Sequence, residues 1–486
     1  MEILLNNQTQ AIAEKHYRKP ILTWLREHQE LPATKEGCGA GDCGACTVLV
    51  GRLRNGKIHY EAINACIALL GNLAQCHLVT LDGIGQDNNL QPVQQALVDF
   101  HGSQCGFCTP GIVMAMMAWW LNTPANPLQT DKEIKQHRHD IEEALSGNLC
   151  RCTGYHPILK AAASLAPFTL GGVMDKADLV GLTGKQISDI LAGLSSPEKL
   201  LGYQQPYTQK ELALAINAMP EATFISGGTD LGLEVTQQLN TRDAYIDLSQ
   251  VAELQHIQRD GETLHIGASV TYSQLSEFLI GDSHQASHAW QKILNVLGSK
   301  QVRNKGTIGG NIANASPIAD TPPLLLALQA KLILQKGTES REIELADFYH
   351  GYRQTVMATG EYIREVIVPI GDHQVHIEKI SKRYEDDISA ACIAMVYKLE
   401  NGHISHCKIG LGGMAATPVL AEQLQALLEG KMPTEINSKD ILDGLKKDVS
   451  PMSDVRASAD YRLQVCANIL TFWLSPEHQK QAGGWA

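Results

Sequence analysis

The stretch that decides the amino-terminal fold is Glu36-Gly-Cys-Gly-Ala-Gly-Asp-Cys-Gly-Ala-Cys46, in a chain of 486 residues. Cys38, Cys43 and Cys46 follow the spacing C-x4-C-x2-C, and a fourth cysteine, Cys66, stands apart. Four thiolates can converge on a small centre only if their loop adopts unusual backbone angles, which glycine takes at little cost. The glycines around these cysteines therefore predict a tight metal-binding loop.

The spacing also indicates which metal centre the loop holds. Three close cysteines and a distant fourth are typical of a plant-type [2Fe–2S] cluster. Zinc is the main alternative, but zinc sites are usually built from two short C-x2-C pairs. We therefore predict a [2Fe–2S] cluster on Cys38, Cys43, Cys46 and Cys66.

The segments around this loop predict a small mixed domain. Residues from about 11 to 35 have a helix-like pattern, and residues 46–51 and 57–62 have the pattern of strands. Asn55-Gly56 between those strands is typical of a tight hairpin turn. Strands, one helix and a metal loop favour a β-grasp domain of the ferredoxin type.

Composition excludes several classes of function. The net charge is −12, the isoelectric point is near 5.8, and no long basic cluster is present. This argues against nucleic acid and against an anionic membrane surface as partners. The start of the chain lacks the pattern of a signal peptide, and twelve cysteines then fit metal ligands better than disulfides. We expect a cytoplasmic protein.

A second set of four cysteines lies in a region with a helical period. Helices are predicted near residues 93–98, 112–121, 131–145 and 158–165. Between them stand Cys105-Gly-Phe-Cys108 and Cys150-Arg-Cys152. Helix ends suit an anionic cluster because the helix dipole favours negative charge at its amino terminus. Zinc remains an alternative here on spacing alone, because C-x-C is not a ferredoxin pattern.

Two glycine-rich loops follow further along the chain. In 222–232, a strand-like segment runs into Gly227-Gly228 and a helix start, and 306–311 reads Gly-Thr-Ile-Gly-Gly-Asn. Backbone N–H groups at such turns can cradle a pyrophosphate, although the first loop alone is equally explained by a tight turn. Together the two loops favour a dinucleotide site.

The cysteine motifs and their neighbours resemble a known family. The segments 38–46, 104–111 and 147–155 together resemble the iron–sulfur part of the xanthine dehydrogenase family, which includes aldehyde oxidases and other molybdenum hydroxylases. The resemblance implies two [2Fe–2S] clusters, the second held by Cys105, Cys108, Cys150 and Cys152 in a helical bundle. It also implies a molybdopterin cofactor on a partner, contacted by Gln104.

The same resemblance covers the flavin region. Both glycine-rich loops match the FAD loops of this family, whose flavin domain is of the vanillyl-alcohol-oxidase type. The resemblance implies FAD contacts by Phe224, Ile225, Ser226, Gly227, Gly228, Thr229, Asp230, Leu231, Thr307, Ile308, Gly309, Gly310, Asn311, Asp320, Arg364 and Lys379. The charged loop after Lys379 reads as solvated from composition alone, whereas the family pattern assigns it control over the approach of NAD.

These observations predict a multidomain α+β protein. The expected parts are a ferredoxin-like β-grasp domain (1–88), a four-helix bundle with the second cluster (89–166), a linker (167–197), an FAD-binding domain (198–375) and a carboxy-terminal α+β flavoprotein subdomain (376–486).

The expected function is electron transfer within a split enzyme. The chain contains nothing resembling a large molybdopterin domain, so hydroxylation of hypoxanthine and xanthine is expected on a large partner subunit, with no catalytic residue for it here. Electrons would pass from the molybdopterin through both clusters to FAD and then to NAD+. The family suggests a heterotetramer with two copies of each subunit. An aldehyde- or nicotinate-type hydroxylase, an oxidase, and a free-standing NADH-driven reductase remain as alternatives.

Overall fold

The computed structural model describes residues 1–54, 56–85, 89–123, 131–165, 180–195, 202–384 and 386–475. Its internal contacts divide into two compact units. The first comprises Met1–Gln205, Ala222–Asp247 and Ser299–Gly306, and the second comprises Pro206–Glu221, Leu248–Gly298 and Thr307–Ala486.

The amino-terminal part of the first unit is a five-stranded sheet with one helix packed on it. The strands are β1 (Glu2–Leu5), β2 (Gln8–Ala11), β3 (Thr47–Arg54), β4 (Lys57–Asn64) and β5 (His77–Val79). Their order is β2-β1-β5-β3-β4, with β1 parallel to β5 and the other neighbours antiparallel. Helix α1 (Ile21–His28) buries its apolar side in the same core as the sheet. The predicted β-grasp fold is confirmed.

Two local predictions in this domain differ from the structure. The helix predicted from about residue 11 to 35 covers only Ile21–His28, because Pro20 precedes its first turn and Glu30, at φ 54°, follows its end. Residues Gln8–Ala11 form an edge strand that the sequence analysis did not predict. That strand pairs on one side only and is mostly exposed, so it carries no alternating apolar pattern.

Helices dominate the next part of the first unit, as predicted. They are α2 (Pro92–Asp99), α3 (Thr109–Asn122), α4 (Asp131–Leu145) and α5 (His156–Ser164). Helix α3 is buried around most of its circumference, including the run Ile112–Met117. An uninterrupted apolar helix of this kind belongs in the centre of a bundle.

A further helix, α6 (Gly184–Gly193), lies where the sequence predicts a linker with little regular structure. Thr183 and Gln186 form a reciprocal capping box at its start, and Ile187 and Leu191 pack against Leu4. The sequence predicts no helix in this linker, because two buried side chains and one cap stabilise a helix only once a neighbouring surface is present. Residues 167–179 of the predicted linker lie outside the described residues.

The first unit also contains a small parallel sheet. Its strands are β6 (Tyr203–Gln204), β7 (Thr223–Ile225) and β8 (Tyr245–Asp247), in the order β6-β8-β7. Helices α8 (Thr229–Gln237) and α11 (Lys300–Arg303) belong to the same unit. The buried carboxylate of Asp247 accepts hydrogen bonds from Tyr203 (2.8 Å), Gln205 (2.9 Å) and Asn72 (2.5 Å), which ties this sheet to the β-grasp domain.

The second unit is built on two antiparallel sheets. The first has the order β12-β11-β15-β10-β9, and the second has the order β16-β17-β18-β19. The strands are β9 (Ile257–Asp260), β10 (Thr263–Gly267), β11 (Lys331–Lys336), β12 (Glu339–Glu344), β13 (Tyr349–Gly351), β14 (Gln354–Thr355), β15 (Tyr362–Pro369), β16 (Gln374–Ile380), β17 (Ala391–Glu400), β18 (His403–Gly412) and β19 (Val419–Leu420); β13 and β14 form a separate hairpin.

Helices cover these sheets and complete two cores. They are α7 (Gln209–Ala218), α9 (Tyr272–Phe278), α10 (Gln285–Leu294), α12 (Ile308–Ala313), α13 (Pro322–Ala327), α14 (Glu422–Leu428), α15 (Ser438–Asp448) and α16 (Ala459–Trp473). Helices α9, α10, α12 and α13 share one core with the first sheet, and α14–α16 share another with β17 and β18. The predicted α+β class is confirmed. No helix among the described residues combines the length and apolar character that crossing a membrane requires.

His77 of β5 is a buried titratable group in the first sheet. Its Nδ1 lies 2.7 Å from the Tyr60 hydroxyl and its Nε2 lies 2.7 Å from the Asn6 carbonyl oxygen. Burial lowers the pKa of the His77 imidazole to about 4, because the charged ring cannot be hydrated there.

We therefore expect a pH-dependent contribution of His77 to the free energy of unfolding. As the pH falls from about 6.5 toward 4, the unfolded chain binds a proton at His77 that the folded chain excludes, so stability falls. The side chain in His77→Gln can keep both hydrogen bonds. Over this pH range the free energy of unfolding of the variant should fall by roughly 2–3 kcal/mol less than that of wild type. Urea denaturation at pH 7 and pH 4.5 measures the difference, and parallel losses in the two proteins would contradict it.

Candidate iron–sulfur and flavin sites

The first four candidate ligands lie on the loop before β3 and just after β4. Because β3 and β4 are antiparallel, with Thr47 opposite Asn64, their ends bring Cys46 and Cys66 together. The Cys66 sulfur is within hydrogen-bonding reach of the sulfurs of Cys46 and Cys38, and the Cys43 sulfur is within reach of Cys38. The structure thus gathers all four predicted ligands into one cluster of thiols.

These contacts favour the thiolate, the form in which cysteine binds a metal, at Cys38 and Cys46, and they raise the pKa of Cys43 and Cys66, which act as the donors. The hydrogen bond from the Cys43 thiol lowers the pKa of Cys38, and the one from Cys66 lowers the pKa of Cys46. Backbone N–H groups also point at sulfur, from Ala40 to Cys38 (3.3 Å) and from Cys38 to Cys43 (3.3 Å). Such N–H donors tune the potential of an iron–sulfur cluster.

The second set lies at the helix ends of the bundle. Cys105 and Cys108 directly precede α3, and Cys150 and Cys152 lie between α4 and α5. The sulfurs of Cys152 and Cys105 are 3.5 Å apart, and Cys108 hydrogen-bonds with Cys150. Each pair therefore joins the C-x2-C motif to the C-x-C motif. The backbone N–H of Phe107 lowers the pKa of Cys105, whereas burial raises the pKa of Cys108 to about 12.

The four thiols of the first set are connected in one group, whereas the second set forms two pairs. Among the described residues, no three His, Cys, Asp or Glu side chains surround a point where a single metal ion could bind. A zinc site places three or four protein ligands around one ion. Each set offers the four thiolates that a [2Fe–2S] cluster takes as ligands.

A backbone hydrogen bond joins the two cysteine sets. The N–H of Leu149 donates to the carbonyl oxygen of Cys43 at 3.0 Å, and Leu149 is the residue before Cys150. Beside it, the amide of Asn148 donates to the Gly44 carbonyl oxygen at 3.0 Å. The Gln301 amide in turn donates to Asn148 at 2.8 Å. The two predicted cluster loops are therefore in direct contact within the first unit.

Three partly exposed apolar residues lie close in sequence to the second set of cysteines. Cys105 and Cys152 are themselves exposed. Phe107, Leu149 and Tyr155 are 49%, 45% and 37% exposed. If these three side chains form one patch, it is a candidate for a surface that another molecule covers.

The first glycine-rich loop of the flavin region belongs to the first unit. Phe224 and Ile225 end β7, Ser226-Gly227-Gly228 form the turn, and Thr229, Asp230 and Leu231 begin α8. Gly228 precedes the helix in the left-handed region, at φ 75°, and has no side chain to cap it. A helix of nine residues whose capping position is a glycine can bind the oxygens of a phosphate group at its first turn.

The second glycine-rich loop belongs to the second unit, at the start of α12. The N–H groups of Ile308 and Gly309 donate to carbonyl oxygens of the chain, and that of Gly310 donates to the Thr307 hydroxyl. These backbone donors are therefore paired within the chain. The Thr307 hydroxyl is buried, and Asn311 Oδ1 accepts a hydrogen bond from the Thr321 hydroxyl. The predicted role of the loop in binding FAD stays a prediction.

Asp320 and Lys379, both predicted flavin contacts, form a buried ion pair in the second unit. The Lys379 Nζ lies 2.8 Å from Asp320 Oδ2 and donates to the Val296 carbonyl oxygen at 2.9 Å. The Lys379 and Asp320 side chains are only 2% and 11% exposed. The other carboxylate oxygen, Oδ1, accepts a hydrogen bond from the Ser389 hydroxyl.

Lys379 also lines a cavity of about 390 Å³. Apolar, basic and polar side chains line the cavity, and the residues are Lys292, Ile293, Val296, Ile377, Glu378, Lys379, Ile380, Ser381, Lys382, Arg383 and Tyr384. A concave apolar wall with a buried charge at its edge suits a planar, polar-edged ring. These residues therefore fit the ring system of a flavin.

Sequence reasoning missed two residues of this site, and one residue that it predicted as a flavin contact lies outside the ion pair. Val296 and Ser389 carry no motif and are distant in sequence from Asp320, so only the folded chain reveals their contacts. Arg364 does not join the ion pair; its guanidinium instead contacts Gln335 (3.3 Å) and Glu365 (3.7 Å). Its predicted role toward the flavin stays a prediction.

Three sequence families match this chain. They are the FAD binding domain in molybdopterin dehydrogenase (residues 198–371), a [2Fe-2S] binding domain (80–163) and the CO dehydrogenase flavoprotein C-terminal domain (377–475). An FAD-binding domain and a [2Fe–2S]-binding domain are therefore present in one polypeptide.

The chain is also similar to xanthine dehydrogenases and to a chain of carbon monoxide dehydrogenase. Xanthine dehydrogenase of Oryza sativa subsp. japonica is 32% identical over 501 residues, covering 88% of this chain and 36% of that protein. Xanthine dehydrogenase of Drosophila subobscura is 31% identical over 465 residues, covering 84% and 34%. A chain of carbon monoxide dehydrogenase from Hydrogenophaga pseudoflava has a TM-score of 0.52 and 26% identity, covering 56% of this chain and 94% of that chain.

The fold and the matched domains define an iron–sulfur flavoprotein of the electron-transfer type. More specifically, the chain belongs to the xanthine dehydrogenase family of molybdenum hydroxylases. It spans about a third of the length of the curated relatives that it matches.

The contact between the cysteine loops generates a stability prediction. Gly44 has φ 65°, and a Cβ there would lie 2.2 Å from the Gly147 carbonyl oxygen. Gly44→Ala must therefore push the two loops apart, and we expect it to lower the free energy of unfolding by about 3 kcal/mol or more.

Gly56→Ala is the matched control. Gly56 has φ 74°, but a Cβ at this position would have no atom of the described residues within 4 Å, so its substitution adds backbone strain alone. That strain costs about 1 kcal/mol. Thermal unfolding and iron content of both variants test the prediction, and equal effects of the two substitutions would contradict it.

Proposed function

We propose that this chain is the electron-transfer component of an NAD-dependent xanthine dehydrogenase, in which hypoxanthine and xanthine are hydroxylated at a molybdopterin site on a partner. The observation that carries the proposal is the hydrogen bond from Leu149 N–H to the Cys43 carbonyl oxygen, 3.0 Å long. It connects two thiol clusters in a chain that also contains an FAD-binding domain. The similarity to xanthine dehydrogenases supports the choice of substrate.

The residues assigned to each cofactor follow from the two thiol clusters and the flavin region. Cys38, Cys43, Cys46 and Cys66 would hold one [2Fe–2S] cluster, and Cys105, Cys108, Cys150 and Cys152 the other. The residues 224–231, 307–311, Asp320, Arg364 and Lys379 would hold FAD. When bound, the clusters supply one-electron transfer, and FAD couples it to two-electron exchange with NAD+.

The protein contributes a short, dry connection between the two clusters. Leu149 is bonded to Cys150, so one hydrogen bond and a few covalent bonds separate a ligand of one cluster from a ligand of the other. Asn148 and Gln301 beside this connection are only 3% and 1% exposed. Their hydrogen bonds hold the two cysteine loops against each other and exclude water from the contact between Leu149 and Cys43.

The exposed apolar patch favours a partner at the second cluster. Phe107, Leu149 and Tyr155 form this candidate patch, since each is partly exposed and lies within three residues of Cys105 or Cys152 in the sequence, as does the exposed Gln104. This patch is where the molybdopterin-bearing partner would dock. In the carbon monoxide dehydrogenase, the matched region accounts for 94% of a separate chain, which supports separate polypeptides. We propose a heterotetramer with two copies of each chain.

A second function, with a different substrate, is favoured by the structural similarity to carbon monoxide dehydrogenase. The partner's pocket would then select an aldehyde, nicotinate or another small molecule, and the acceptor would be oxygen or NAD+. Turnover of the purified complex with xanthine, an aldehyde and nicotinate, each with NAD+ or oxygen, discriminates these alternatives. NADH-driven dye reduction by a chain with no partner would instead indicate a free-standing reductase.

Single cysteine substitutions test the assignment of the clusters. Purified wild type should contain about four irons and two distinct [2Fe–2S] EPR signals after reduction with dithionite. Cys38→Ser should remove one signal and Cys105→Ser the other, because each removes one ligand from one set. Cys407→Ser, a buried cysteine outside both sets, is the control and should keep both signals. A single signal in wild type would contradict the two-cluster assignment.

Substitution in the apolar patch tests the partner surface. Leu149→Glu keeps the backbone hydrogen bond to Cys43 but puts a charge into the patch, so we expect partner affinity to fall about tenfold or more. Leu239→Glu, at a residue of the first unit that is 87% exposed, is the matched control. NADH-driven dye reduction should be unchanged in both variants. Equal partner affinities of wild type and Leu149→Glu would reject this surface.

A further inference from the structure

Lys379 is oriented by two acceptors within the second unit. Its ammonium group bonds the Asp320 carboxylate and the Val296 carbonyl oxygen at 2.8 and 2.9 Å. Because the Lys379 side chain is 2% exposed, water cannot replace either acceptor. The position of its charge at the cavity therefore depends on where the Asp320 carboxylate is held.

Ser389 holds the other side of that carboxylate. Its hydroxyl donates to Asp320 Oδ1, while Lys379 uses Oδ2, so the two donors fix the rotation of the carboxylate between them. Ser389 is 1% exposed. In the part of the chain that the structure describes, no third side chain donates to this carboxylate.

Ser389 is itself anchored by its neighbour in the chain. The N–H of Ala390 donates to the Ile380 carbonyl oxygen at 2.7 Å. The Ala390 carbonyl oxygen accepts from the buried guanidinium of Arg462 at 2.5 Å. Hydrogen bonds thus fix both peptide groups of Ala390. Because Ser389 is joined to Ala390, its backbone is fixed as well, and its hydroxyl lies beside Asp320.

We propose that Ser389 is a positioning residue that holds the Asp320–Lys379 ion pair at the cavity and thereby sets the reduction potential of the flavin. The inference rests on the proposed function, because it places the flavin ring beside Lys379. Without the Ser389 hydroxyl, Asp320 Oδ1 is a buried oxygen with no donor, and the carboxylate turns to bring both oxygens onto Lys379. The lysine charge is then neutralised more completely and favours the reduced flavin less.

The experiment compares Ser389→Ala with a matched serine substitution in the purified full-length chain. The flavin potential is measured by equilibration with a reference dye, alongside FAD, iron and sulfide content. Ser389→Ala should lower the equilibrium constant for flavin reduction about tenfold, which is about 30 mV for a two-electron couple. Ser389→Thr keeps the hydroxyl, and its equilibrium constant for flavin reduction should be within about twofold of the wild-type value.

Ser287→Ala is the control. Ser287 is also 1% exposed, and its hydroxyl donates at 2.8 Å to Asp282, which is ion-paired with Arg259. The substitution removes the same kind of contact away from Lys379, so the flavin potential should not change. An unchanged potential in Ser389→Ala, or an equal shift in Ser287→Ala, would overturn the proposal. If Ser389→Ala fails to retain FAD, Ser389→Cys, a weaker donor, is measured by the same criterion.

Lys379→Met separates this inference from the proposed function. A lowered potential in Lys379→Met without a change in Ser389→Ala would reject the role of Ser389 and keep the flavin beside Lys379. An unchanged potential in Lys379→Met would reject that placement of the flavin, and a wild-type protein that binds no FAD would reject the proposed function itself.

Discussion

The hydrogen bond between Leu149 and Cys43 is the contact on which the arrangement of the first unit depends. It requires two backbones to approach so closely that side chains cannot intervene. Gly44, Gly111 and Gly147 meet this requirement: a Cβ on Gly111 would lie 2.1 Å from the Gly44 carbonyl oxygen. The β-grasp domain and the helical bundle therefore pack through glycine backbone, and the two thiol clusters come close as a consequence.

This kind of contact resists adjustment more than a side-chain interface does. A side chain that is slightly too large can change rotamer, whereas backbone against backbone has no such freedom. The Asn148 amide then satisfies the Gly44 carbonyl oxygen and the Gln301 amide satisfies Asn148 Oδ1, while Gln301 Oε1 has no hydrogen-bond partner among the described residues. Packing and polar satisfaction thus support the same geometry.

The second unit depends on a different constraint, a buried charge. Taking both Lys379 and Asp320 out of water costs several kcal/mol per ion unless each is paired and further hydrogen-bonded. Val296 and Ser389 provide those additional bonds. A charge held in this way has a defined position at the cavity wall, which a mobile surface lysine lacks. The same pair therefore serves both the stability of the unit and the electrostatics of the cavity.

Local patterns made most of the elements predictable. The cysteine spacing, the hairpin between β3 and β4 and the four helices of the bundle follow from residues close in sequence. Elements with weak local signals were missed: the exposed edge strand β2 and helix α6, whose two buried side chains need Leu4 as a neighbour. The predicted roles of the residues 307–311 and Arg364 could not be judged from motifs, because their bonding partners are set by the fold.

The sequence by itself determined which residues can carry the chemistry, namely eight cysteines in two spaced sets and two glycine-rich loops, whereas Asp320 and Lys379 were implied only by the family resemblance. Those features depend on short-range spacing and on the chemistry of single side chains. Only the tertiary structure decided the pairing of Cys105 with Cys152, the bond from Leu149 to Cys43, and the contact of Ser389 with Asp320. The physical reason is that these contacts join residues far apart in the chain, and they exist only where packing brings the segments together.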